Sequence, residues 1–149
     1  MFNKTETFAA HLTRFTVCLL ILLWFYAATT KFLDYPHFVQ EMHSQLLPDY
    51  LKSLIVYLLP ICEVALAILL SLNSKRLIGL WGSLVVFLSF SIYIGFLLFH
   101  PLKRTPCPCG GIIEHMGWSL HFAFNLFFLI LIGTCIAFTK NERRPREST

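Results

Sequence analysis

Two thiols stand one residue apart in Cys107-Pro108-Cys109, followed by Gly110-Gly111, in a short polar stretch of an otherwise apolar chain. Cysteines that close can exchange electrons as a reversible disulfide or contribute ligands to a metal. A disulfide closed across a single residue makes a small, strained ring, and strained disulfides are the more readily reduced. That chemistry suits an exchanger better than a structural staple. Pro108 narrows the backbone freedom between the thiols, and Gly110 and Gly111 leave the chain room to turn. A metal site needs further ligands, and His100, Glu114 and His115 are the nearby candidates; no metal site is assigned on so loose a pattern. A passive loop is the bland alternative. The remaining cysteines, Cys18, Cys62 and Cys135, lie inside apolar runs, where a thiol ordinarily packs as a small hydrophobe.

The elements that must carry these thiols follow from hydropathy. The 149 residues are 56% hydrophobic and 13% charged, with a mean hydropathy of +0.67, values of a chain whose solvent is lipid. At about 1.5 Å of rise per residue, four stretches can cross a hydrocarbon core of about 30 Å. They are 15–33, 54–72, 77–99 and 117–139, and a polar tail occupies 140–149. The first is the weakest, since only 16 residues separate Arg14 from Lys31, so one or both of those side chains must snorkel to the interface. A cleavable leader processed near Ala27-Ala28-Thr29 is the competing reading of that stretch. The expected fold is all-α, a single four-helix transmembrane bundle running up-down-up-down.

Basic residues orient it. Lys4, Arg14, Lys75, Arg76, Lys140, Arg143, Arg144 and Arg146 fall on one side of the bundle, against Lys31, Lys52, Lys103 and Arg104 on the other. The excess places both termini in the cytoplasm of a bacterial inner membrane, and the Cys107/Cys109 loop in the periplasm, where disulfides persist. The net charge of +4 sits mostly in the cytoplasmic flanks and tail, where an anionic leaflet explains it without nucleic acid.

One connection is long. Between Asp34 and Ser53, Pro36 opens a segment with Phe38, Met42 and Leu46 at helical spacing, Gln40, Glu41 and Gln45 between them, and Pro48 as a stop. The pattern predicts a short helix in the outer interface, against an irregular loop with scattered apolar residues.

Helix parity then collects the buried polar groups. The end of span one, the start of span two, the end of span three and the start of span four share a leaflet, and Lys31, Glu63, His100, His121 and Asn125 all lie there. By helical rise Glu63 is expected about 10 to 15 Å below the outer boundary and Asn125 about 12 Å. His121 and Asn125, four apart, share a helix face. An ionisable group at that depth marks a functional site and needs a partner; His121 is the first expected for Glu63 and Lys31 the second. Interhelical hydrogen bonding alone accounts for Asn125 as readily, but an acid is a costly glue. Pro60 frees a carbonyl one turn earlier and is expected to bend the helix above Glu63.

Taken together, Tyr26-Ala-Ala-Thr-Thr-Lys31-Phe-Leu-Asp34 with Phe38, then Pro60-x-x-Glu63, then Pro106-Cys-Pro-Cys-Gly-Gly111 with Glu114, Met116, Trp118, His121 and Asn125, resemble the MauE branch of the DoxX-like membrane proteins. The resemblance covers Trp24 to Asn125 and is most specific from Cys107 onward. It implies a four-helix integral membrane protein, a link to methylamine utilisation through maturation of a disulfide-rich dehydrogenase subunit, and, through DoxX relatives, quinone-coupled oxidation of sulfur compounds. By architecture alone the bundle is also similar to quinone-linked enzymes that make disulfides in periplasmic proteins.

The expected function is therefore thiol–disulfide exchange at the outer face by Cys107 and Cys109 with a periplasmic thiol protein. The polar pocket of Lys31, Glu63, His121 and Asn125 would receive a quinone head group or relay protons. A membrane accessory or assembly subunit is the second reading. A small-solute transporter is a distant third, because the inner halves of the spans offer little polarity beyond Ser83, Cys18 and Cys135.

Overall fold

The computed structural model describes residues 4–99 and 117–143. Five helices appear among them: α1 (Lys4–Leu33), α2 (Tyr35–Ser44), α3 (Asp49–Ser71), α4 (Arg76–Phe99) and α5 (Trp118–Arg143). Four of them, α1, α3, α4 and α5, are long and apolar enough to cross a bilayer, which makes the chain an integral membrane protein with an all-helical, four-span fold. Its wide apolar exposure, including Phe25, Tyr57, Ile92 and Ile130, is the surface that acyl chains cover.

The helices form a ring in which α1 packs on α3, α3 on α4, α4 on α5 and α5 back on α1. A tight turn joins α3 to α4, closed by Lys75 N–H donating to the Leu72 carbonyl at 3.0 Å. α4 comes close to α3 at Gly79, where an added Cβ would lie 2.9 Å from Leu70 Cγ and 3.0 Å from the Leu70 backbone nitrogen. Close approach through a small residue is how apolar helices gain contact in lipid, where hydrophobicity itself gives no drive to associate. The core around it is built from Val17, Leu20, Trp24, Leu70, Leu80, Phe87, Phe128 and Ile132. Trp24 lies 5.3 Å from Phe87, and Phe87 stacks on Phe128 at 5.2 Å between ring centroids. The indole Nε1 donates to Ser83 Oγ at 2.9 Å, so the one polar handle of that aromatic layer is satisfied.

Three boundaries differ from the sequence expectation. α1 starts at Lys4 rather than near 15, carrying Arg14 within the helix. It runs unbroken through Ala27–Thr29, and Ala28 is buried. α3 starts at Asp49 rather than 54, because Lys52 Nζ is satisfied by the His43 carbonyl and by Asp49 Oδ1, each at 3.2 Å; a basic residue so partnered no longer marks the helix end. Pro48 is correspondingly the N-cap of α3, not the stop of the helix before it.

The expected short helix is present, and its inward face carries Phe38 and Met42 of the apolar stripe together with polar residues. Asp34 caps α2, accepting from His37 N–H at 3.3 Å, and Pro36 sits in the first turn, where its missing N–H costs nothing. Phe38 and Met42 are buried against Val56. Glu41 and Gln45 are buried with them, whereas Leu46 lies beyond the helix and is half exposed. The His43 carbonyl accepts from Lys52 near the start of α3, and Tyr35 and Leu59 pack on the Phe38–Val56 cluster, so α2 runs antiparallel along the first half of α3.

Candidate functional site

Lys31 and Glu63 are brought together in the bundle interior. Lys31 occupies the last turn of α1, and its Nζ reaches Glu63 Oε1 at 2.7 Å and the Ala27 carbonyl at 3.2 Å. The ammonium also lies 5.7 Å from the centroid of the Phe38 ring on α2, close enough for a cation–π contact. Both charged side chains are almost wholly buried. Helical rise puts Glu63 about 21 Å beyond Asp49 and about 12 Å before Ser71, past the midpoint of α3 and deeper than the expected 10 to 15 Å, since α3 begins earlier. A lone carboxylate at that depth would be expensive; a paired one persists.

Glu63 reaches the interior because α3 turns one stripe inward. Val56, Pro60, Glu63, Ala67 and Leu70 recur at three- and four-residue spacing and are all buried. α5 does the same with His121, Asn125, Phe128 and Ile132. Two contacts set the level of α5 against α4: Phe128 stacks on Phe87, and an added Cβ on Gly95 would lie 3.7 Å from the Phe122 ring. Ser91, midway between Phe87 and Gly95, therefore stands at the level of the Asn125 turn. Its hydroxyl donates to the Phe87 carbonyl at 2.8 Å.

The satisfaction of these groups is uneven. Glu63 Oε2, His121 Nδ1 and Asn125 Nδ2 are buried, yet none has a hydrogen-bond partner among the described residues. His121, expected as the first partner of Glu63, does not fill that role; Lys31 does. Parity assigns a leaflet but not the rotation of each helix, and rotation decided between them. The open atoms are an acceptor on α3 and an amide donor and an imidazole nitrogen on α5, each able to take a polar partner.

Sequence reasoning missed a second polar layer. Tyr93 Oη donates to Gln45 Oε1 at 2.8 Å, and Gln45 Nε2 donates to the Glu41 carbonyl at 3.3 Å. The clue lay in the spacing, because Glu41 and Gln45 fall on the same face as Phe38 and Met42. Gln45 is held inside by the Tyr93 hydroxyl on α4, a tertiary contact that spacing alone does not contain.

Cys107 and Cys109, with His100, Glu114 and His115, lie outside the described residues. Among the other cysteines, Cys135 is buried in the core, Cys62 is half-buried and Cys18 is exposed; all three are free thiols. Among the described residues no three or more His, Cys, Asp or Glu side chains are grouped to hold a metal.

Comparison with known proteins places the chain. The family model described as methylamine utilisation protein MauE matches residues 9–138, a stretch that includes Lys31, Glu63, Cys107, Cys109, His121 and Asn125. No curated protein and no solved structure matches the chain.

Proposed function

The chain belongs to the MauE family, and from that membership we propose that it is a membrane thiol–disulfide oxidoreductase that serves the maturation of a periplasmic partner. One observation carries the reading. The buried Lys31–Glu63 pair, with Glu63 Oε2 unpartnered among the described residues, is a charged group inside the bundle, and Cys107 and Cys109 fall in the sequence between the end of α4 and the start of α5. Ionisable groups inside the bundle and a closely spaced dithiol are what coupled electron and proton movement requires.

The exchange step balances. A thiolate of the partner attacks the Cys107–Cys109 disulfide and forms a mixed disulfide; the partner's second thiolate resolves it, leaving the partner oxidised and Cys107 and Cys109 as thiols with two electrons and two protons gained. The basic-residue count supports placing this step at the periplasmic face, with both termini cytoplasmic.

Re-oxidation needs a two-electron acceptor, and the class proposed is a quinone. Asn125 Nδ2, or His121 in its Nδ1–H tautomer, would donate to a quinone oxygen, and Glu63 Oε2 would accept a hydrogen bond. Bound there, the group would supply a two-electron, two-proton sink. Lys31 holds Glu63 in place, and the surrounding helices exclude water from it.

Trapping tests the reading. In Cys107→Ser and Cys109→Ser cells the surviving thiolate can attack the disulfide of an already oxidised partner, forming a mixed disulfide and releasing one partner thiolate, with no second cysteine of the pair to complete the exchange, so at least one variant should show a covalent complex in rapidly acid-quenched membranes run without reductant. Should neither trap a partner, and should the double serine variant keep full cellular function, the redox reading fails. The alternative is then a non-catalytic accessory or assembly subunit of methylamine utilisation, which the family description favours independently.

A further inference from the structure

A lysine near the end of a membrane helix ordinarily extends outward and carries its ammonium to water. Lys31 stands two residues before the end of α1, yet it turns back along the helix. Its Nζ meets the Ala27 carbonyl at 3.2 Å and Glu63 Oε1 at 2.7 Å, and the side chain is almost wholly buried. The outward direction also offers a partner. Asp34, three residues on, is exposed, and its N–H still donates to the Thr30 carbonyl at 3.1 Å, which keeps it one helical turn beyond Lys31. The ammonium that turns inward lies over the Phe38 ring, 5.7 Å from its centroid. That ring is fixed: it is buried with Met42 against Val56 of α3, and α2 is further held by the Asp34 cap and by the Gln45–Tyr93 hydrogen bond. An ammonium out of water gains more from a ring face than an exposed one does.

We infer that Phe38 is the positioning residue of the Lys31–Glu63 pair: its ring holds the ammonium on the carboxylate rather than at the interface, and thereby sets how often Glu63 is protonated. Weakening that hold enlarges a minor population in which Lys31 extends toward Asp34 and Glu63 is left without its cation. A carboxylate alone inside the bundle neutralises by taking up a proton. Charge in the interior then balances, since one ammonium leaves and one proton, drawn from water, arrives on Glu63. Among the described residues, the other titratable side chains turned inward by the packed helices are Glu41 on α2, the half-buried Tyr93 on α4 and His121 on α5. The inference rests on the proposed role of the pair in proton movement, and deepens it by naming what controls the pair.

The test uses the full chain in membrane fragments open on both faces, so that no orientation is assumed. A water-soluble acylating reagent modifies the Lys31 amine while it is extended, and a lipid-soluble carbodiimide modifies the Glu63 carboxyl while it is protonated. Both are read by peptide mass, with the exposed Lys75 as internal standard for acylation. Phe38→Leu keeps apolar bulk but removes the ring, and should speed both modifications about tenfold, the weight of one desolvated cation–π contact. Ring-fluorinated phenylalanines at residue 38 keep the shape while draining the ring face, so both rates should climb with each added fluorine; they decide the matter should Phe38→Leu fail to fold. Met42→Ala removes bulk from the same cluster without altering the ring and should leave both rates at the parent value. The inference is overturned if fluorination changes neither rate, if Met42→Ala raises them as much as Phe38→Leu, or if Lys31 becomes reactive while Glu63 does not. Because no electron transfer is read, this result stands apart from the trapping experiment: trapping with unchanged labelling leaves the redox reading intact, and altered labelling without trapping removes only the thiol chemistry.

Discussion

The two ends of the bundle solve the same problem in opposite ways. Toward the chain termini, Leu20, Leu70, Leu80 and Ile132 are fully buried, and above them Trp24 and Ser83 satisfy one another. Among the described residues two buried atoms, Thr16 Oγ1 and Arg76 Nε, lack a partner at that end. Toward the other end, Lys31, Glu63, His121 and Asn125 replace the apolar layers, with three polar atoms open. One end is dominated by apolar layers, while the other buries an ion pair and leaves polar atoms without partners among the described residues. Substitutions should therefore separate stability from function by location.

The largest expected effect is Lys31→Met. Removing one partner strands the Glu63 carboxylate, and breaking a buried pair in this way costs about 3 to 5 kcal/mol, read as a collapse of the unfolding midpoint in detergent or bilayer. A variant as stable as the parent would erase the contrast between the ends. Next comes Gly79→Val, which drives a side chain against the Leu70 backbone and should cost about 1 to 3 kcal/mol. Partner trapping by the folded fraction should be unaffected, and a loss of trapping beyond the loss of folded protein would show that the packed end also serves function. Ser83→Ala strands the Trp24 indole N–H and should cost about 1 kcal/mol, again without a functional defect. The smallest stability effect belongs to Asn125→Leu, expected within about 0.5 kcal/mol of the parent or above it, since an unpartnered amide contributes nothing that an apolar side chain cannot. Its function should nevertheless be lost.

The sequence makes these ends unequally legible. Uninterrupted apolar runs between charges define the spans, because lipid demands length and hydropathy from each helix separately. Where a helix ends is a tertiary question: Lys52 and Arg14 look like boundaries until His43 and the continuing turns of α1 accommodate them. Periodicity finds Phe38 and Met42 but not the burial of Glu41 and Gln45, which depends on a tyrosine hydroxyl 48 residues away. At the candidate site, residue types and parity select Lys31, Glu63, His121 and Asn125. The pairing of Lys31 with Glu63 depends on helix rotation and on the backward reach of the lysine toward Ala27, neither of which a linear pattern contains.

The most direct test replaces the pair as a unit. Lys31→Met with Glu63→Leu removes both charges and leaves nothing stranded, so stability should equal or exceed the parent's, as for other buried pairs exchanged for apolar residues. The decisive reading is the thiol state of Cys107 and Cys109 in native membranes, followed by acid-quenched alkylation while the quinone pool is oxidised and then reduced. The expected result is a stably folded variant whose thiols no longer follow the pool. Thiols that still cycle as in the parent would contradict it, and would make the buried pair a packing device.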